Sequence, residues 1–178
     1  TIETDSGINR KLPPMEDVID PPVIKQRNIF TVVVNKNNMI LVEEKLMDLS
    51  EVRSAAVKFL DNGGGVGEEA CDYCKGEKDQ SSSDNPEKAI ISLKNDRETD
   101  YKVYISVQNE LVAAYNELRN REFIALYPNQ RMTFVEANKF YSDPRTSPKA
   151  KLNIKPKLDV VKKMYPQKLS EAEPSKIN

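Results

Sequence analysis

The apolar residues of this chain come in blocks whose period changes. Ile29-Phe30-Thr31-Val32-Val33-Val34 is followed by the polar corner Asn35-Lys36-Asn37-Asn38 and then by Met39-Ile40-Leu41-Val42. Six β-branched or aromatic residues, an Asn-rich corner and four more apolar residues predict a hairpin, because asparagine tolerates positive φ and bonds its own backbone. Phe30, Val32 and Val34 share one face of the first strand, and Ile29, Thr31 and Val33 share the other. Apolar residues on both faces predict cover on both. Helices of the same chain are expected over one face, and the long C-terminal segment or a second subunit over the other.

From residue 48 to 60 the period becomes helical, with Leu49, Val52, Ala56, Phe59 and Leu60 on one stripe. Asp48 and Glu51 stand at capping-box spacing in front of it. Residues 89–93 return to a short buried strand pattern, and residues 101–122 carry the longest helical signal, extendable to Pro128, with Thr99 or Asp100 as cap. A short helix is expected within residues 132–141. Asp143-Pro144 and Ser147-Pro148 read as loop. A third helix is expected over residues 154–165, with Pro156 near its first turn, and a last strand around Lys168-Leu169-Ser170. The expected fold class is α+β: a small mixed β-sheet with two main helices on one face and an extra C-terminal helical segment. Residues 1–27 read as an extended linker, 28–171 as the domain and 172–178 as a polar tail.

Composition adjusts this picture. With 38% hydrophobic and 31% charged residues in 178, part of the chain is expected outside the core. Between Asp61 and Glu87 eight carboxylates face only Lys75 and Lys78, for a local charge of −6. That stretch also holds Gly63-Gly64-Gly65 and Ser81-Ser82-Ser83, so residues 62–86 read as a long, flexible, solvated acidic loop. Between Lys149 and Lys168 seven lysines oppose Asp159 alone. They read as a solvated helix face, with an anionic partner or the chain's own acidic loop as the alternative. The overall charge of −1 gives no general attraction to nucleic acid or anionic lipid.

The chain has no His and no Trp. It therefore lacks the commonest general base and metal ligand. No catalytic residues, cofactor or metal are expected, and the function class is binding rather than an enzyme. Cys71-Asp72-Tyr73-Cys74 is the one conspicuous motif. A redox role would need a low thiol pKa, which neighbouring carboxylates oppose. Zinc needs about four ligands, and two Cys without His do not supply them. A short disulfide stapling the loop is the reading favoured in an oxidising compartment. Gly63 to Gly67 is followed by acids rather than Lys-Ser or Lys-Thr, unlike a phosphate loop. In the proline-rich linker, Arg10-Lys11-Leu12-Pro13-Pro14 reads either as plain spacer or as a short docking motif. No run approaches the roughly 20 apolar residues of a membrane span. No signal peptide is visible, and a chain opening on Thr1 is expected to be a fragment or a processed form.

The order hairpin, helix, strand, helix resembles the periplasmic domain of the ExbD/TolR family of biopolymer transport proteins. Leu12-Pro13 resembles the Leu-Pro motif that follows the family's transmembrane helix, and the ending from Tyr165 to Pro174 resembles long-tailed ExbD-like members. The resemblance implies a single-pass inner-membrane protein of Gram-negative bacteria whose periplasmic domain begins near Thr1. It implies ExbB-like and TonB-like partners, a homodimer, and proton-driven coupling to TonB-dependent transport. In the TolR branch it implies peptidoglycan as a candidate partner. Leu12, Pro13 and Pro14 then become a partner-binding linker motif, and Cys71 and Cys74 fall in an oxidising compartment that favours their disulfide. The proton-carrying Asp of the family has no counterpart in this sequence.

Overall fold

The Asn-rich corner closes the first hairpin as its composition predicts. In the computed structural model, which describes residues 23–177, Asn38 takes φ +61°. The Asn35 carboxamide accepts the backbone N–H groups of Asn37 and Met39, each at 3.0 Å. The corner joins β1 (Ile29–Val34) to β2 (Ile40–Val42) in antiparallel register, with Val34 opposite Ile40 and Val32 opposite Val42. Leu12, Pro13 and Pro14 lie outside the described residues.

One strand was not anticipated. β3 (Lys45–Met47) pairs antiparallel with β2 through a turn in which Glu43 and Glu44 both have positive φ, 48° and 66°. Two glutamates in the left-handed region give no sequence signal for a tight hairpin, since Asn and Gly dominate such turns. Glu43 is held there by the Thr31 N–H, which donates to its carboxylate at 2.7 Å. β4 (Ile90–Asn95) and β5 (Leu169–Glu171) complete the sheet. The order is β3-β2-β1-β4-β5, with β4 parallel to β1 and β5 parallel to β4. The architecture is the expected mixed α+β class.

α1 (Leu49–Leu60) begins at the predicted capping box, where the Asp48 N–H donates to Glu51 at 3.1 Å. α2 (Tyr101–Leu126) runs to the residue before the Tyr127-Pro128 break. Asp100 caps it without a side-chain bond of its own. Its carboxylate instead accepts from the Asn38 side chain, and its N–H donates back to Asn38, both at 2.9 Å, tying α2 to the hairpin corner. Val52, Ala56, Phe59 and Leu60 of α1 and Val107, Leu111, Ala114, Tyr115 and Leu118 of α2 pack on Phe30, Val32, Val34, Ile40, Val42, Ile91 and Leu93. Each such burial contributes roughly 1.5–3 kcal/mol for a large aliphatic or Phe side chain.

The C-terminal half departs from expectation in placement. α3 (Phe134–Ser142) starts at Thr133, in a capping box with Glu136. α4 (Pro148–Met164) begins six residues before the predicted start. Ser147-Pro148, read as loop, is instead its cap and first residue: the Ser147 hydroxyl accepts the Ala150 N–H at 3.3 Å, and proline at the first position loses no intrahelical bond. Pro156 consequently sits inside the helix. Ile154, Leu158 and Val161 of α4 meet Phe134 and Ala137 of α3 and Phe123 of α2 in a second core. This segment therefore does not cover the far sheet face, because its apolar stripe is used against the end of α2. Residues 172–177, expected as a free polar tail, follow the end of β4. Ala172 and Ser175 donate N–H groups to Leu93 and Asn95, and the Ile177 N–H reaches the Asp96 carboxylate at 2.8 Å.

Candidate functional site

The sheet face away from the helices is the first candidate. Register places Leu46, Leu41 and Val33 side by side on it, with Lys94 next in line. A polar row, Thr31 beside Ser92 beside Ser170, separates them from the Ile29–Ile90 pair. These residues are half-buried or exposed, whereas the alternate residues Phe30, Val32, Val34, Ile40, Val42, Ile91 and Leu93 are buried. Among the described residues no helix lies over this face. It is an apolar surface with a polar centre stripe, suited to contact with another surface rather than to chemistry.

The second candidate lies where the domain begins. Asp84 is buried and accepts Arg27 Nε at 2.9 Å and the Asn28 side chain at 3.0 Å, while its own N–H donates to Asn28 at 2.8 Å. Burial raises the Asp84 pKa, but the bonds from Asn28 and Arg27 and the charges of Arg27 and Lys25 outweigh it, so the carboxyl sits below its ordinary value. The start of β1 is thus clamped to the acidic loop. Beside the clamp a cleft of about 560 Å³ opens between β1, β2, α1 and the loop. Its floor is the Phe30–Phe59 pair, stacked at 5.1 Å, and Arg27, Lys58, Glu77 and Asp79 stand on its rim.

The acidic loop is not the solvated segment expected. Gly64 and Gly65 donate N–H groups to the carbonyls of Ser83 and Asp84, and Gly76 and Lys78 donate to Asp61 and Asn62. Asn62 bonds Asp79 and Ser83 with its side chain. A Cβ on Gly64 would lie 2.1 Å from the Asp79 carbonyl oxygen, and one on Gly65 2.2 Å from that of Glu69. The glycines permit backbone-to-backbone packing; Glu68, Asp72, Glu77 and Asp79 are exposed on a folded knot, while Asp84 is buried in it. Cys71 and Cys74 form a disulfide within it, both buried. Tyr73 between them reaches out to α4.

That reach ends at a third cluster, which sequence reasoning did not single out. Asp61, at the end of α1, receives both Arg121 nitrogens, at 2.7 and 3.0 Å, and the Tyr165 hydroxyl at 2.5 Å. Arg121 also binds Glu122, and Arg119 donates to the Tyr165 carbonyl at 2.9 Å. Burial pushes the Asp61 carboxyl up, but the hydrogen bonds from Arg121 and Tyr165 and the Arg121 charge outweigh it and leave the carboxyl below the ordinary range. Burial and the neighbouring Asp61 push the Tyr165 hydroxyl far up. The cluster joins α1, α2 and the end of α4. Its proton donors and acceptors are mutually satisfied, which marks a structural tie and not a reactive centre. A charged residue on a helical stripe is the only sequence signal it offers, and that is indistinguishable from a solvated one.

Among the described residues no helix is long and apolar enough to cross a membrane, and no group of three Cys, Asp or Glu side chains is placed to hold a metal ion. No protein-family model matches the chain, and no curated protein matches it.

Proposed function

We propose that this chain is the periplasmic part of an ExbD/TolR-like subunit and acts by binding, coupling proton-driven motion in the inner membrane to an outer-membrane transport partner. The observation that carries the reading is the pairing of a sheet whose one face is uncovered with a clamp at the point where the chain enters its central strand. β1 is flanked by β2 and β4, so a pull arriving through the preceding linker loads the middle of the sheet and the Asn28–Asp84 clamp together. The element order supports the family resemblance: hairpin, α1, β4, α2, and then a C-terminal strand returning beside β4. On this reading the full-length protein is a single-pass inner-membrane protein, its partners are ExbB-like and TonB-like, and the open face is where a second copy docks.

The linker motif provides the test. Leu12→Ala with Pro13→Ala in the full-length protein reduces TonB-dependent uptake while the domain's circular dichroism and melting are unchanged. Uptake equal to wild type in that double variant removes the linker from the coupling role. Retention of the domain on purified peptidoglycan, insensitive to salt, moves the assignment to a TolR-like scaffold gripping the cell wall.

A further inference from the structure

The outward face of α4 is unlike the rest of the surface. At 100° per residue, the buried stripe of Ile154, Leu158 and Val161 leaves Lys149, Leu152, Pro156, Val160 and Lys163 on the opposite side. Leu152, Pro156 and Val160 are spaced four apart, which aligns them in one strip, and Leu152 and Val160 are 74% and 43% exposed. Lys149 and Lys163 bracket the strip, and Lys155 and Lys162 flank it, all exposed. Lys155 shares its charge with Asp159 at 2.8 Å, and Lys149, Lys162 and Lys163 make no ion pair among the described residues. Residues 131–168 hold ten Lys or Arg against three Asp or Glu, a charge of +7, so the remainder of the chain carries −8.

We infer that this face of α4 docks on an anionic phospholipid surface. Three features favour that occupant. The first is chemical: an apolar strip bordered by lysines matches a layer with negative headgroups above hydrocarbon, and the lysine stems can lie along that boundary with their ammonium groups in the headgroups. A soluble polyanion satisfies the lysines and leaves Leu152 and Val160 in water. The second is shape. The face is the convex outside of a helix, and the main clefts are lined by residues of other elements. The third is charge: residues 131–168 carry +7, and a negative surface attracts the exposed lysines of this face. Docking here leaves the second core of α2, α3 and α4 unchanged, since none of the strip residues belongs to it. The face stands whether or not the chain has a membrane anchor of its own.

The test is flotation of the purified chain with phosphatidylcholine vesicles and with vesicles that also contain phosphatidylglycerol, at low and high salt. Binding is expected only to the phosphatidylglycerol vesicles, and it weakens as salt rises. Lys149→Glu with Lys163→Glu reduces the bound fraction's partition coefficient by about tenfold or more, on the order of one kcal/mol per lysine at the surface. Leu152→Ser with Val160→Ser reduces it severalfold at unchanged charge. All the substituted side chains are exposed, and circular dichroism verifies that each variant folds. Absence of binding to phosphatidylglycerol vesicles at low salt overturns the inference, as does equal binding to neutral vesicles. Binding that the serine variants leave intact reduces the face to a general polyanion site and overturns the lipid assignment.

Discussion

The Tyr73 hydroxyl donates to the Met164 carbonyl at 2.7 Å across 91 residues of sequence. The same ring meets Tyr165 edge-on, with centroids 5.6 Å apart. Tyr73 is the second of the two residues enclosed by the Cys71–Cys74 disulfide, so the staple presents this side chain to the end of α4. Burial, with Glu87 and Asp72 nearby, pushes its pKa up to about 12, and it stays a donor at any ordinary pH. Reducing the disulfide with a dithiol is expected to cost about 2 kcal/mol for a loop this short. The loss should concentrate at one place: amide exchange in α4 and at Tyr165 accelerates more than in β1. Tyr73→Phe, which keeps the ring and removes the bond, costs about 1 kcal/mol. Uniform acceleration of exchange across the molecule would show that the disulfide only restrains the unfolded chain.

The packed loop makes a contrast among its glycines. Gly64→Ala drives a methyl into the Asp79 carbonyl, and neither backbone can yield without opening the Asn62 bonds. It is expected to destabilise the domain by about 3 kcal/mol or more. A Cβ on Gly67 meets nothing within 4 Å, and the cost of Gly67→Ala is that of a positive φ alone, about 1–2 kcal/mol. Urea unfolding of the two variants measures the difference. Equal, small effects would restore the solvated loop that the composition predicts.

Legibility in the sequence followed the range of the interactions. The hairpin corner at Asn35–Asn38, the Asp48–Glu51 box and the stripes of α1 and α2 rest on neighbours within a few residues, and their period or capping pattern reports them directly. β3 escaped because Glu43 is stabilised in its turn by Thr31, twelve residues away, and not by its own propensity. The start of α4 escaped because Ser-Pro marks either a break or a helix beginning, and only the use of Ile154 and Leu158 against α3 decides between them. The acidic loop misled for a related reason. Its glycines and serines signal freedom when read alone, yet here they allow close approach to Asp61, Asn62 and Glu69. The Asp61–Arg121–Tyr165 tie spans 60 and 104 residues and leaves no local trace.

That tie gives the domain an acid-sensitive component. Asp61 and Asp84 both have folded pKa values below the ordinary one. Their contribution to stability is therefore complete above the unfolded value of about 4 and is lost as pH falls through the folded values. Asp61→Asn leaves the Arg121 charge without its principal partner and is expected to cost about 3 kcal/mol near neutral pH. The cost begins to shrink as pH falls below about 4, where the unfolded carboxyl takes up its proton before the folded one. Urea midpoints of the two proteins, measured from pH 7 downward, should draw closer below about pH 4. A gap that stays constant across that range would assign the effect to packing around Tyr165 instead of charge.

The uncovered sheet face separates folding from association. Val33 and Leu41 are opposite each other on β1 and β2, half-buried, and pointed away from the core that holds Val32 and Val42. Replacing either with lysine removes partial burial only, so the expected loss is about 1 kcal/mol or less. A second subunit on that face, by contrast, would have to bury the new ammonium beside Lys94 without a counter-charge, at a cost of several kcal/mol. Val33→Lys with Leu41→Lys should therefore leave the thermal transition close to wild type and shift sedimentation velocity of the concentrated domain from a dimer-containing distribution to monomer. If the wild-type domain sediments as monomer at every concentration, the face is free for a different partner. If the double variant still dimerises, the dimer is built elsewhere, with the short edge strands β3 and β5 the next surfaces to vary.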